Sequence, residues 1–379
     1  MKSLKLMMAA LAAVAVTAVS CDENSGEKEL SEFEIKCQTV NKDFVEKTVK
    51  PTYRALADND KLLVEQLGNL KSDADVVKAG VYWKAARQDW EWSEAFLFGP
   101  AGDFGLDPHT DTWPFDRVKF DKYMAKYHPA TDPDDAEMMA HNIATEQNFT
   151  GFHAVEYLIF REGESRKFAD MTADEIWFAK TAAQDLYLSS IKLVYAWGGE
   201  ISEDEKALLD EVEFEADSYG DEVVNAGKAG SRYSTVLLAT RQIIAGAQDI
   251  IGEVRDSKIG APATGEDVNY IESPHAHNSI QDFYDNIMSC KHTLYGGWDV
   301  NGTAPTSASL LGVCLKVDAF KSAAENVMDK MEKALTAIKG MKAPFVEFYT
   351  DQSAKDAMSA LDGLDEALSA LDTLLESYE

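Results

Sequence analysis

The chain is poor in positive charge and in cysteine, and each scarcity narrows what it can be. Its 379 residues carry 36 Lys and Arg against 66 Asp and Glu, a formal net charge of -30. Nucleic acid and anionic lipid both need a basic footprint, so neither is an expected partner. Solubility and self-repulsion outside the cell account for the charge more simply than acidic metal storage does. There are only 4 cysteines, and none stands near another at zinc-ligand spacing, which excludes a cysteine-held structural zinc. No stretch alternates apolar and polar residues in the manner of a half-buried strand.

The N-terminus is a processing segment. Lys2 and Lys5 precede a short apolar run from Leu6 to Val19, and Ala18-Val19-Ser20-Cys21 sets small residues before a cysteine. This reads as a secretory signal over 1–20 and not as a membrane span. The segment resembles a bacterial lipobox, with Ala18 where Leu is more usual. Cys21 is therefore expected to carry lipid and to anchor the chain to the outer membrane of the cell envelope; ordinary signal cleavage with an incidental cysteine is the alternative. Residues 21–37 begin with a polar, acidic stretch that has little to bury and form a tether. Acidic residues directly after the lipidated cysteine resemble the export signal of surface-exposed lipoproteins. Export also permits a disulfide. Cys290 and Cys314 are the expected pair because Gly296, Gly297, Gly302 and Pro305 lie between them, and Cys37 is left as a buried thiol.

The rest is helical in pattern. Apolar residues recur at three and four over about 40–57, 74–98, 115–127, 134–145, 148–160, 172–197, 202–227, 234–258, 278–295, 308–341 and 350–378. Thr172 with Glu175 and Ser202 with Glu205 read as capping boxes, and Gly198-Gly199 stops the helix between them. The last helix carries Ala and Leu at helical spacing, a packing stripe. A mature chain of about 360 residues exceeds one ordinary core. The expected fold is all-α with two helical-bundle domains, 38–199 and 200–379. The long non-helical stretches, about 99–114 and 259–277, are candidates for function.

One helix carries the chemistry. Asn148 to Phe160 is apolar nearly all round but contains His153 and Glu156, which share a face at a spacing of three. Burying both without partners is costly, so a metal, a ligand or other side chains must satisfy them. Gly151-Phe152-His153-Ala154-Val155-Glu156 resembles the Gly-x-His-x-x-Glu signature of the imelysin-like (M75 peptidase) family. Arg87, Trp90 and Glu94 with Phe96-Leu97-Phe98-Gly99-Pro100, then Asp111-Thr112-Trp113-Pro114, then Glu272-Ser273 and Asn278 to Asn286, resemble further family segments in order. The resemblance implies an exported, two-bundle helical protein, often a lipoprotein and often linked to iron or haem uptake.

Candidate metal ligands are His153, Glu156, Glu94 and Asp111, the last equally readable as a helix cap. Candidate ligand-binding residues are Gly151, Arg87, Trp90 and the polar stripe Ser279, Asp282 and Asn286. The stripe is expected to face His153 and Glu156 across the domain boundary. Arg87 also suits pairing with Glu91 or Glu94 on its own helix. His275 and His277 fall where the family pattern offers no histidine. Trp83, Trp90, Trp92, Phe96 and Phe98 suit the core or the wall of a flat-ligand pocket. Isolated His109, His141 and His292 read as ordinary polar histidines. Three functions remain open: capture of a divalent metal (iron or zinc), haem or a metal-linked ligand for a transport partner in the outer membrane; metal-dependent hydrolysis; or a structural His153–Glu156 pair. A zinc peptidase offers two ligands on one helix plus a general base, and this helix offers one His and one Glu.

Overall fold

The computed structural model describes residues 29–378 except 147, 148, 301 and 303. The signal over 1–20, Cys21 and the tether as far as residue 28 lie outside the described residues.

Ser31 accepts the Glu34 N–H while Glu34 accepts the Ser31 N–H at 2.7 Å, a reciprocal cap that starts α1 (Glu32–Phe44). A π-turn at Val45–Val49 joins it to α2 (Lys50–Leu67), so a rod longer than the expected 40–57 helix is formed. Helix α3 (Asp73–Glu91), α4 (Gly151–Ile159) and α5 (Ala173–Ala196) pack with α2 as the first bundle. The second bundle holds α6 (Val236–Glu253), α7 (Ser279–Tyr295), the short α8 (Leu310–Cys314), α9 (Asp318–Lys339) and α10 (Gln352–Glu376). A second π-turn, Val254–Gly260, continues α6. Both π-turns end two residues before a proline, Pro51 and Pro262, whose missing N–H removes a bond to the turn behind it. A two-stranded ribbon, β1 (Phe160–Arg161) with β2 (Glu164–Ser165), follows α4.

The expected capping boxes at Thr172 and Ser202 are both formed, and α5 ends just before Gly198. Helix α10 buries Ala354, Ala357, Leu361, Leu364, Leu368, Leu371 and Leu375, the expected stripe. The helix expected over 202–227 is broken into Glu203–Glu211 and Tyr219–Val224. The stretch 99–114 contains two one-turn helices, Pro100–Asp103 and Asp107–Thr110. Helix α1 docks on α6: Asn41 donates to the Val236 carbonyl at 3.1 Å and accepts from Thr240 at 2.8 Å. The bundles meet where α6 crosses residues 94–96, and there the Gly246 backbone approaches so closely that a Cβ would lie 2.2 Å from the Ala95 carbonyl oxygen. Among the described residues no helix is long and apolar enough to cross a membrane.

The disulfide expected between Cys290 and Cys314 is not formed. Cys37, Cys290 and Cys314 are all free and buried. Cys290 points from α7 to the Ala247 carbonyl of α6 at 3.5 Å, whereas the electrostatic neighbour of Cys314 is Cys37 on α1. A glycine-rich loop gives two segments freedom to meet; the helix faces decide which thiols do.

Candidate functional site

Gly151 opens α4 with φ 74°, and a Cβ there would lie 2.2 Å from the Thr110 carbonyl oxygen. Glycine alone lets the helix begin against residues 109–111, which brings His153 to Asp111. Every residue of α4 is buried, as its apolar circumference requires. Gly151→Ala is expected to cost about 2–4 kcal/mol, from left-handed strain plus overlap with the Thr110 backbone. Denaturant unfolding measures it, and an unchanged midpoint would show that the start of α4 can shift freely.

His153 Nδ1 lies 3.2 Å from Glu156 Oε2. Its Nε2 lies 3.1 Å from Asp111 Oδ1 but off the line of a hydrogen bond, so this buried nitrogen has no hydrogen-bond partner. Glu156 uses its other oxygen to accept the backbone N–H groups of His275 and Ala276, each at 2.8 Å. The loop that aims these donors passes through left-handed Ser273 (φ 43°) and His277 (φ 52°), neither a glycine. Strain of that kind persists where surrounding contacts enforce it. One such contact is the Gly163 N–H from the ribbon turn, which donates to the His275 carbonyl at 2.9 Å.

Behind His153 lies a buried ionic network. Arg87 is 0% exposed and reaches Asp111 and Glu272 at 2.7 Å each, Glu91 closer still, and Asp282 at 3.9 Å. The Trp90 indole N–H donates to Asp111 at 3.3 Å. Lys258, carried inward by the second π-turn, lies 3.0 Å from Glu272, 3.7 Å from Glu91 and Glu94, and 3.8 Å from Glu253. Burial works against the charged form of His153, but Asp111 and then Glu156 outweigh it and push its pKa up to about 9. Burial would also raise Asp111, yet Arg87 and His153 hold it well below the usual carboxylate range. Burial and Glu272 push Asp282 up to about 7 against the pull of Arg87.

A cavity of about 890 Å³ opens over His153 and Glu156. Trp113, Phe115 and Arg117 wall it from the first half, and Ile271, His275, His277 and Tyr349 from the second. His153 lines this cavity, and behind it Asp111, His153 and Glu272 bring one donor atom each within 4.8 Å of one another. An imidazole nitrogen held only by a poorly aligned ion pair with Asp111, among carboxylate oxygens, fits a transition-metal ion once its proton leaves.

The imelysin family model, peptidase M75, matches residues 49–374. The chain belongs to the imelysin family. Iron-regulated protein A of Synechococcus elongatus is 29% identical over 267 residues, which cover 70% of this chain and 65% of that protein. The match thus spans less than two thirds of that relative's length. The crystal structure of an iron-regulated protein A precursor from Parabacteroides distasonis aligns over 93% of this chain and 97% of its own, with a TM-score of 0.77 and 24% identity. That of an imelysin-like protein from Psychrobacter arcticum aligns over 92% and 95%, with a TM-score of 0.56 and 12% identity. These two likenesses concern the fold.

In this imelysin, His153, Glu156 and Asp111 converge, while Glu94 sits beside Lys258 and brings its carboxylate within 4.8 Å of Glu91 and Asp111. Asp111 is not the cap of the next helix; Asp116 caps it, accepting the Lys119 N–H. The stripe Ser279, Asp282 and Asn286 is buried but does not meet His153 and Glu156. Ser279 donates to the Glu272 carbonyl, Asp282 approaches Arg87 and Asn286 donates to Glu91. The second half instead reaches Glu156 through backbone N–H groups. Trp83, Trp90 and Phe96 are core, and the cavity takes its aromatic walls from Trp113, Phe115 and Tyr349. Lys258 is hidden from helical periodicity because the π-turn breaks its phase, although Pro262 marks the break. Glu272 stood in a family segment without an assigned role.

Proposed function

We propose that this imelysin captures iron in its interdomain cavity, as the ion or in a compact organic complex such as haem, with zinc as the competing ion. The carrying observation is His153 Nε2, buried, outside any aligned hydrogen bond, and grouped with Asp111 and Glu272 just behind the cavity that His153 lines. The cavity, about 890 Å³, has the size of a small-molecule site and far exceeds a bare ion. The iron-regulated name of the Synechococcus relative supports iron as the cargo. His153, Asp111 and Glu272 would hold the metal, and Glu156 would fix the imidazole through Nδ1, as a carboxylate orients a metal-binding histidine.

Hydrolysis is the weaker reading. Its general base would be Glu156, but His153 and the N–H groups of His275 and Ala276 hold that carboxyl below its usual range in spite of burial, which makes it a poor acceptor of protons from water. The capture reading includes export, a lipid anchor at Cys21 and delivery to an outer-membrane transport partner. Elemental analysis and an absorption spectrum of the protein purified from its own envelope test the cargo. Bound iron or a Soret band is the expected result, and a chain free of metal and chromophore after iron-replete growth would refute it. Cys21→Ser should move the protein from the membrane to the soluble fraction, and retention of fatty-acid label would refute the anchor.

A further inference from the structure

A second group of oxygens lies deeper than His153 and shares only Glu272 with the capture site. Glu91, Glu272 and Asp282 are each 0% exposed and bring one oxygen apiece within 4.8 Å of one another. Arg87 and Lys258 engage Oε1 of Glu272, and Arg87 and Asn278 engage Oδ1 of Asp282. The opposite oxygens, Glu272 Oε2 and Asp282 Oδ2, have no hydrogen-bond partner. Asn286, also 0% exposed, donates its Nδ2 to Glu91 and leaves Oδ1 without a partner. Three residues beside Glu91 thus each keep one buried acceptor oxygen outside any formed hydrogen bond, with the Ser273 hydroxyl the neutral donor within reach of Asp282.

Charge points the same way. Five carboxyls, Glu91, Glu94, Asp111, Glu272 and Asp282, surround Arg87 and Lys258, with His153 a third cation against Asp111. Buried carboxylates in excess of cations are costly unless further positive charge joins them. Bare acceptors need donors or a cation, and every atom on offer is oxygen, the ligand type of hard ions and not of thiophilic or imidazole-preferring ones.

We propose that Glu91, Glu272, Asp282 and Asn286 form a second, all-oxygen site for a hard divalent cation of the calcium, magnesium or manganese class. It stabilises the junction of α3 with α7 and is separate from cargo capture at His153. Such an ion enters as the chain folds, because every ligand is buried in the finished structure.

The test uses Mn2+ as the probe and the mature chain expressed in Mn2+-supplemented medium, dialysed free of loose ion. His153→Ala removes the capture site, and this variant should retain about one Mn2+ per chain by elemental analysis and electron paramagnetic resonance. Adding Asp282→Asn should abolish that signal. Stripping the ion with chelator in mild denaturant should lower the melting temperature of the His153→Ala protein. Asn286→Asp, which adds a carboxylate, should slow the loss of Mn2+ to chelator. Retention in His153→Ala with loss in the double variant supports the deep site whatever the fate of cargo capture. Metal bound by the native chain but absent from His153→Ala leaves the capture reading standing and overturns this one. No metal in either, or a signal indifferent to both Asp282→Asn and Asn286→Asp, also overturns it and assigns the bare oxygens to water or to protonated carboxyls.

Discussion

His153→Ala is expected to weaken binding of Zn2+ or iron in the cavity by at least about 100-fold, since even residues that only orient a metal ligand are worth roughly 10–100-fold. His153 is the nitrogen donor of the triad with Asp111 and Glu272, and removing it leaves carboxylates already engaged by Arg87. Glu156→Gln should cost less, about 10–100-fold, because Glu156 meets the imidazole at Nδ1 and acts through its orientation. The pair of variants separates ligand from support. Because His153 has its pKa pushed up to about 9, the free protein carries a proton there at neutral pH, and metal must displace it. Affinity should therefore fall as the pH is lowered from about 9, by up to about tenfold per unit, and His153→Ala should flatten that dependence. Competition against a colorimetric chelator at several pH values reads all three effects. Equal affinity in His153→Ala and native protein would remove the imidazole from the site.

The parts of this arrangement that a sequence can display are those written in side-chain type and spacing. The buried helix with His153 and Glu156, the caps at Thr172 and Ser202, and the stripe of α10 are of that kind. The second half's hold on Glu156 is not, because it consists of two N–H groups in a loop bent through left-handed Ser273 and His277. Residue letters do not state backbone direction, and the polar side chains nearby, Ser279, Asp282 and Asn286, suggested a contact that the backbone makes instead. Lys258 escaped for a related reason. Its π-turn shifts the helical phase, so a residue that periodicity leaves at an arbitrary angle becomes a wholly buried ammonium. The disulfide expectation failed because loop flexibility says nothing about which face of α7 carries Cys290.

Arg87 carries the largest expected effect on stability. Arg87→Met keeps much of the side chain's volume against Phe152, over which the guanidinium lies at 5.4 Å, but withdraws the cation shared by Asp111, Glu91 and Glu272. Removing one partner of a buried ion pair typically costs about 3–5 kcal/mol because the other charge is stranded, and here three carboxylates are stranded together. A fall in melting temperature of about 4–7 °C follows for a chain of this size. Since the loss comes from surplus negative charge and not from a cavity, deleting a carboxylate should restore part of it. Arg87→Met/Glu91→Gln should accordingly be more stable than Arg87→Met alone, with Glu91→Gln measured by itself to complete the cycle. Lys258 limits the stranding, because it lies 3.0 Å from Glu272 and 3.7 Å from Glu91, and so Arg87→Met with Lys258→Met should fare worse than the sum of the two. Additive losses, or an Arg87→Met protein as stable as the native one, would mean that these carboxyls are already neutral in the folded chain and that the network holds its shape through protons instead of charge.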